Sequence, residues 1–168
     1  DPTATAEDIS GNARYSTFVM ANNVTVIGGF EGGETTLADR PADLFGETNT
    51  VVLSGDLNQT GIVDTFDSYH VVLFPEDTDD SAVLQNVKIT GGYANLNNFF
   101  SDRGAGVHAR LGGIISGCVI TDNIALEGGA GAYLYKGATI TESEISNNSA
   151  QILGAGVLLN SGGTVTSS

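Results

Sequence analysis

The tripeptide Gly-Ala-Gly occurs at Gly104-Ala105-Gly106, Gly129-Ala130-Gly131 and Gly154-Ala155-Gly156, a 25-residue period held twice over. Between these marks whole columns agree by residue type: Ile115, Ile140 and Val165; Ile120 and Ile145; Asn123 and Asn148; Ala125 and Ala150; Gly112, Gly137 and Gly162. A fixed period of this length restricts the chain to stacked repeats, in which each unit buries its apolar side against its neighbours.

The spacing within one repeat selects the kind of stack. A helical repeat places apolar residues three and four apart and avoids glycine. Here Ala105, Val107 and Ala109 alternate with other residues, and so do Ala130, Ala132 and Leu134, then Ala155, Val157 and Leu159. That is the two-residue period of a strand with one buried face. Further short strands are expected around Ile114 to Ser116 and Cys118 to Thr121, each broken from the last by glycine or a small polar residue. Three short strands per repeat, every column stacked on itself, predict an all-β right-handed parallel β-helix in which Asn123 and Asn148 form an amide ladder at a turn. One domain is expected over residues 1–168: long coils with loops over 1–103, regular coils over 104–168, the last incomplete, about six in all at the spacing of stacked strands. Leu84 and Ile89 stand at a 31-residue offset from Ile115 and Ile120, so the loop at Asn95 to Arg103 absorbs the difference.

The segment Ile140 to Ala150, Ile-Thr-x-Ser-x-Ile-Ser-x-Asn-x-Ala after Gly-Ala-Gly, resembles the repeat of large bacterial surface β-helix proteins, including the polymorphic outer-membrane-type repeats. Val24 to Phe30, Glu34 to Pro41, Val52 to Leu57, Ser68 to Val72 and Val87 to Ala94 resemble the head of the same class of secreted proteins, which share the pectin-lyase-like fold. The resemblance implies a secreted or cell-surface location, with an anchoring or sorting domain further along a longer chain.

Twenty acids against six bases give a charge of −14, and fifteen of the acids lie between Asp1 and Asp80, with only Arg14 and Arg40 to offset them. Such a surface repels nucleic acid and anionic headgroups. No apolar run approaches the roughly 20 residues of a membrane helix, so no membrane insertion by this segment is expected. Calcium, cationic surfaces and neutral glycans remain as partners. The single cysteine, Cys118, shares its column with Ser143 and Ser168 and reads as a small strand residue.

Several groups are candidates for chemistry. If Val107, Ala132 and Val157 point inward, then His108, Tyr133 and Leu158 point outward, and with Arg110 and Tyr135 they offer a platform on which sugar rings can stack. No motif calls for a cofactor. Glu76, Asp77, Asp79 and Asp80 form an acidic turn that could take calcium, although its spacing is not that of a twelve-residue calcium loop. Phe99 and Phe100 in a polar loop need cover, from the wall of the stack or from a partner. His70 reads as structural.

Parallel β-helices include pectin lyases and polygalacturonases, but the chain has no Asn-Thr-Asp, Gly-His-Gly or Arg-x-Lys motif of the galacturonase type. Catalysis therefore ranks third, behind a non-catalytic structural module of a surface protein, adhesin or fibre, and behind a glycan-binding module. Solenoid ends expose unpaired edges. The expected partners are the rest of a longer surface protein or further copies stacked head to tail. In the latter arrangement the segment around Tyr15, Phe18 and Met20 of one copy completes the coil containing Val165 of the next.

Overall fold

The computed structural model describes residues 12–40, 51–98 and 101–166. The chain is all-β with stacked parallel strands. The first layer holds β1 (Phe18–Val19), β2 (Thr25–Ile27) and β3 (Val51–Ser54). The second holds β4 (Val72–Phe74), β5 (Val83–Gln85), β6 (Val87–Thr90) and β7 (Tyr93–Ala94). Next come β8 (Val107–Ala109), β9 (Ile114–Ser116), β10 (Val119–Thr121) and β11 (Ile124–Ala125), followed by β12 (Ala132–Tyr135), β13 (Thr139–Thr141), β14 (Glu144–Ser146) and β15 (Ser149–Ala150). The last are β16 (Val157–Asn160) and β17 (Thr164–Thr166).

These strands form four parallel sheets in the orders β1-β4-β8-β12-β16, β2-β5-β9-β13-β17, β3-β6-β10-β14 and β7-β11-β15, referred to as the first to fourth sheets. The 25-residue period is the pairing register: Val107, Ala132 and Val157 face one another, as do Ile115, Ile140 and Val165, and Ile120 and Ile145. The 31-residue offset also holds, with Leu84 beside Ile115 and Ile89 beside Ile120. One expectation is corrected: each full layer has a fourth strand, which pairs over only two residues, too few to show alternation in the sequence. The first and second sheets hold five strands each among the described residues.

The core follows from the alternation. Val72, Phe74, Leu84, Ile89, Val107, Ile115, Ile120, Leu134 and Ile140 form one continuous fully buried cluster. Each such side chain contributes about 1.5–3 kcal/mol by leaving water. The alanines of Gly-Ala-Gly pack separately: Ala105 and Ala130 join Ala94 and Ala125 in a narrow second cluster between the fourth and first sheets. Single residues turn the corners. Asn86, Gly117 and Glu142 have φ of 54°, 60° and 49° between the second and third sheets, and Gly91, Asp122 and Asn147 have 79°, 55° and 52° between the third and fourth. Glycine, asparagine and aspartate reach that region most readily.

The asparagine ladder is present. Asn123 is fully buried; its Nδ2 donates to Asn148 Oδ1 at 3.0 Å and to the Thr121 carbonyl at 2.9 Å, while its Oδ1 accepts the Gly92 N–H at 3.0 Å. Gly106 and Gly131 lie against the ladder. A β-carbon at Gly131 would stand 2.5 Å from the Gly156 carbonyl oxygen and 2.8 Å from Asn148 Nδ2. Replacing Asn123 with Ala leaves buried donors and acceptors on adjacent layers unsatisfied, so a loss of about 2–4 kcal/mol is expected in urea unfolding. Gly131→Ala should cost a similar amount, about 1–3 kcal/mol, by overpacking.

Candidate functional site

The outward face of the first sheet gathers titratable and aromatic side chains. Parallel register stacks Leu73, His108 and Tyr133 in one column. All three point out of the core as the alternation requires, yet His108 is 1 % exposed and Tyr133 is 0 % exposed. The expectation of an open platform is therefore corrected for these two residues. Arg110 and Tyr135 are half-buried. Sequence alternation assigns a side of the sheet, but it cannot show that another segment covers that side.

The cover comes from the residues just before β8. Ser101 and Asp102 are buried, and the Arg103 guanidinium lies 3.1 Å from Asp102, 3.1 Å from Glu127 and 5.9 Å from the centre of the Tyr133 ring. The Asp102 contact is close without the alignment of a hydrogen bond. Phe99 and Phe100, expected to need cover in this loop, lie outside the described residues. Beneath the cover the rings pack edge to face: His70 on His108 at 4.7 Å between centroids and His108 on Tyr133 at 5.2 Å, with Tyr133 and Tyr135 stacked at 6.4 Å. Tyr133 Oη accepts from Asn160 Nδ2 at 2.9 Å.

The imidazoles are held by main-chain oxygens. His70 Nδ1 lies 3.0 Å from the Gly104 carbonyl and His108 Nδ1 lies 3.3 Å from the Arg103 carbonyl. A carbonyl only accepts, so a proton sits on Nδ1 in both rings. Burial, then the neighbouring His70 and Arg110, drives His108 well below the usual histidine range. Burial raises Asp102 despite Arg103, and burial raises Tyr133 against the hydrogen bond from Asn160. Two imidazoles, a tyrosine, an aspartate and an arginine meet here as a packed cluster, with His108 neutral, that fastens the cover to the sheet. Alternation places Asn160 on this outward face beside Tyr135; sequence reasoning gave Asp102 and Arg103 no role in the cluster, and only the 25-residue step from Arg103 to Gly128, which places the cover one layer above Glu127, carried a signal for them.

The acidic turn does not assemble a calcium cage. Asp79 Oδ1 accepts the Ser81 N–H at 2.8 Å and the Ser81 hydroxyl, which holds its carboxyl below the usual range. Asp80 reaches the Gly113 N–H at 3.4 Å, Glu76 pairs with Arg110 at 3.6 Å, and Asp77 presents its main-chain carbonyl to Asn22 Nδ2 at 2.8 Å. Glu76, Asp77, Asp79 and Asp80 thus face different partners, and no group of three histidine, cysteine or acidic side chains gathers for a metal among the described residues.

The proposed donor segment is already in use. Phe18 N–H bonds the Val71 carbonyl and Met20 N–H bonds the Leu73 carbonyl, both at 2.9 Å, so β1 completes its own first sheet. Met20 is buried in the core and Tyr15 packs on Tyr69 with centroids 5.0 Å apart. Phe18 and Val165 lie at opposite ends of the stack, 41 % and 37 % exposed. Compared with protein-family models, curated proteins and solved structures, the chain matches none.

The histidine cluster sets a pH dependence. His108 has a lower pKa folded than unfolded, so the unfolded chain binds the extra proton as pH falls below about 6.5. The associated stability is complete above that pH and is lost progressively on acidification. Asp102 and Asp67, both raised by burial, act in the opposite sense, in the acid range above the ordinary aspartate value. Urea midpoints should therefore fall between pH 7.5 and 5.5, and His108→Gln should flatten that slope.

Proposed function

We propose that this chain is a right-handed parallel β-helix serving as a non-catalytic structural module of an extracellular surface protein or fibre, with its terminal coils as stacking surfaces. The cyclic visiting of four parallel sheets supports the helix, and crossovers between parallel strands are right-handed in about 98 % of cases. Abundant glycine and asparagine, few lysines and a charge of −14 fit an extracellular β-rich module.

The observation that carries the stacking role is the pair of unpaired edges. Among the described residues β1, β2, β3 and β7 border one end, and β14, β15, β16 and β17 the other, all strands pairing in parallel. At both ends the inward columns stay partly open: Phe18 and Val26 at 41 % and 39 %, Leu159 and Val165 at 47 % and 37 %. A further coil laid on either end continues the ladder, with the outer edge of β1 meeting the last coil of the neighbour while its inner edge stays paired to β4. The occupant is a second copy or a following coil of a longer chain. The glycan-binding alternative is the weaker reading, since His108 and Tyr133 are buried, and a lyase or hydrolase has no motif behind it.

Sedimentation velocity at rising concentration, with negative-stain microscopy, tests the stacking. Head-to-tail rods that lengthen with concentration are expected, together with loss of association in Leu159→Lys/Val165→Lys. A monomer at every concentration would sink self-stacking.

A further inference from the structure

We propose that Asp56–Asp67, the connection from β3 to β4, is a calcium-binding loop of twelve residues. The sequence runs Asp56-Leu-Asn58-Gln-Thr60-Gly61-Ile62-Val-Asp64-Thr-Phe-Asp67. Oxygen-bearing groups fall at the first, third, fifth, ninth and twelfth places, the seventh offers the Ile62 carbonyl, and glycine stands at the sixth. Those are the ligand places of a twelve-residue calcium loop. Thr60 replaces the usual acid or amide at the fifth place, and Asp67 replaces glutamate at the twelfth.

The backbone already has the required shape. Gly61 turns with φ 71°. Asp56 Oδ1 accepts the Thr60 N–H at 3.1 Å and its Oδ2 accepts the Gly61 N–H at 2.7 Å, folding the chain around the first ligand. Thr60 Oγ1 lies 3.2 Å from the Ile62 carbonyl, and Asn58 Nδ2 lies 3.2 Å from Asp64 Oδ2, which brings places three, five, seven and nine together. The base of the loop is pinned. Ser68 N–H bonds the Gly55 carbonyl across it at 2.9 Å, and Gly55 N–H bonds Thr90 of the next layer at 2.9 Å.

A second observation points to a ligand. Asp67 is 0 % exposed; its Oδ2 accepts the Asp64 N–H at 2.8 Å and the Leu57 N–H lies near enough to favour the carboxylate, but its buried Oδ1 completes no hydrogen bond. A buried carboxylate oxygen without a partner is costly. Asp64 and Asp56 oppose a further negative charge there, and the nearby Arg14 guanidinium bonds the Asp67 main-chain carbonyl at 2.6 Å rather than its carboxylate. A divalent cation satisfies that oxygen and relieves all three charges at once. The three carboxylates do not themselves close a cage; Asn58, Thr60 and the Ile62 carbonyl supply the other oxygens, and Asp64 turns from the Asn58 amide to the ion. Three carboxylates with a shortened last ligand fit the weaker, extracellular class of site, about 10⁻⁴–10⁻³ M.

Calorimetric titration of the whole, chelator-treated chain with calcium chloride tests this, with magnesium chloride in parallel. One calcium per chain is expected, magnesium at least tenfold weaker. Asp56→Asn and Asp67→Asn should each weaken calcium binding at least tenfold, and Asp77→Asn/Asp79→Asn/Asp80→Asn should leave it unchanged. Thr60→Val removes one ligand oxygen from an exposed position and should weaken binding even if the aspartate variants misfold. The proposal is overturned by no binding at millimolar calcium, by binding that survives Asp56→Asn and Thr60→Val, or by binding that follows the triple variant instead.

Discussion

Every layer of this protein is held to the next by main-chain hydrogen bonds in parallel register, and in the regular coils that ladder makes each side chain the neighbour of its own counterpart in the next repeat. A residue is therefore acceptable only if a copy of it, or something of its shape, fits directly above. Isoleucine on isoleucine meets this condition in the core, and asparagine on asparagine meets it at the corner, because an amide both donates and accepts. Gly-Ala-Gly meets it where the chain turns back into the first sheet: the second glycine leaves room for the carbonyl above it and for the ladder amide beside it.

The same ladder explains the outer cluster. Stacking places Leu73, His108 and Tyr133 in one outward column, and edge-to-face ring contacts make such a column self-attractive. The column is apolar enough to be covered yet carries polar atoms that need partners. The cover supplies them: the Arg103 and Gly104 carbonyls take the two Nδ1 protons, and Arg103 spans Asp102 and Glu127. Burial disfavours the charged form of His108, so protonation of the ring and opening of the face are linked.

What could be read in the sequence was whatever the repeat enforces. The inward columns, the 25- and 31-residue registers and the Asn123–Asn148 contact all follow from period and alternation. The fourth sheet was hidden because a two-residue strand has no period. The burial of His108 and Tyr133 was hidden because it depends on a non-repeating segment, Ser101 to Arg103, whose path no column predicts. The pairing of β1 with β4 was hidden for a related reason: Phe18 stands beside Val72 at an interval set by loops rather than by the repeat.

The acids show how composition misleads until partners are counted. Three N–H groups of Glu31, Gly32 and Gly33 converge on Glu34 and lower it to about 2, and Asp39 and Asp79 are likewise held below their usual range by the threonines and serine beside them. These carboxylates complete their own turns, which is why the denser run at Glu76 to Asp80 has no common focus for an ion. The sparser acids of the β3–β4 connection differ in one respect: Asp67 is buried with an oxygen that makes no hydrogen bond. Density of acidic residues favours the first loop, unmet coordination favours the second, and the cost of a bare buried oxygen makes the second the better guide.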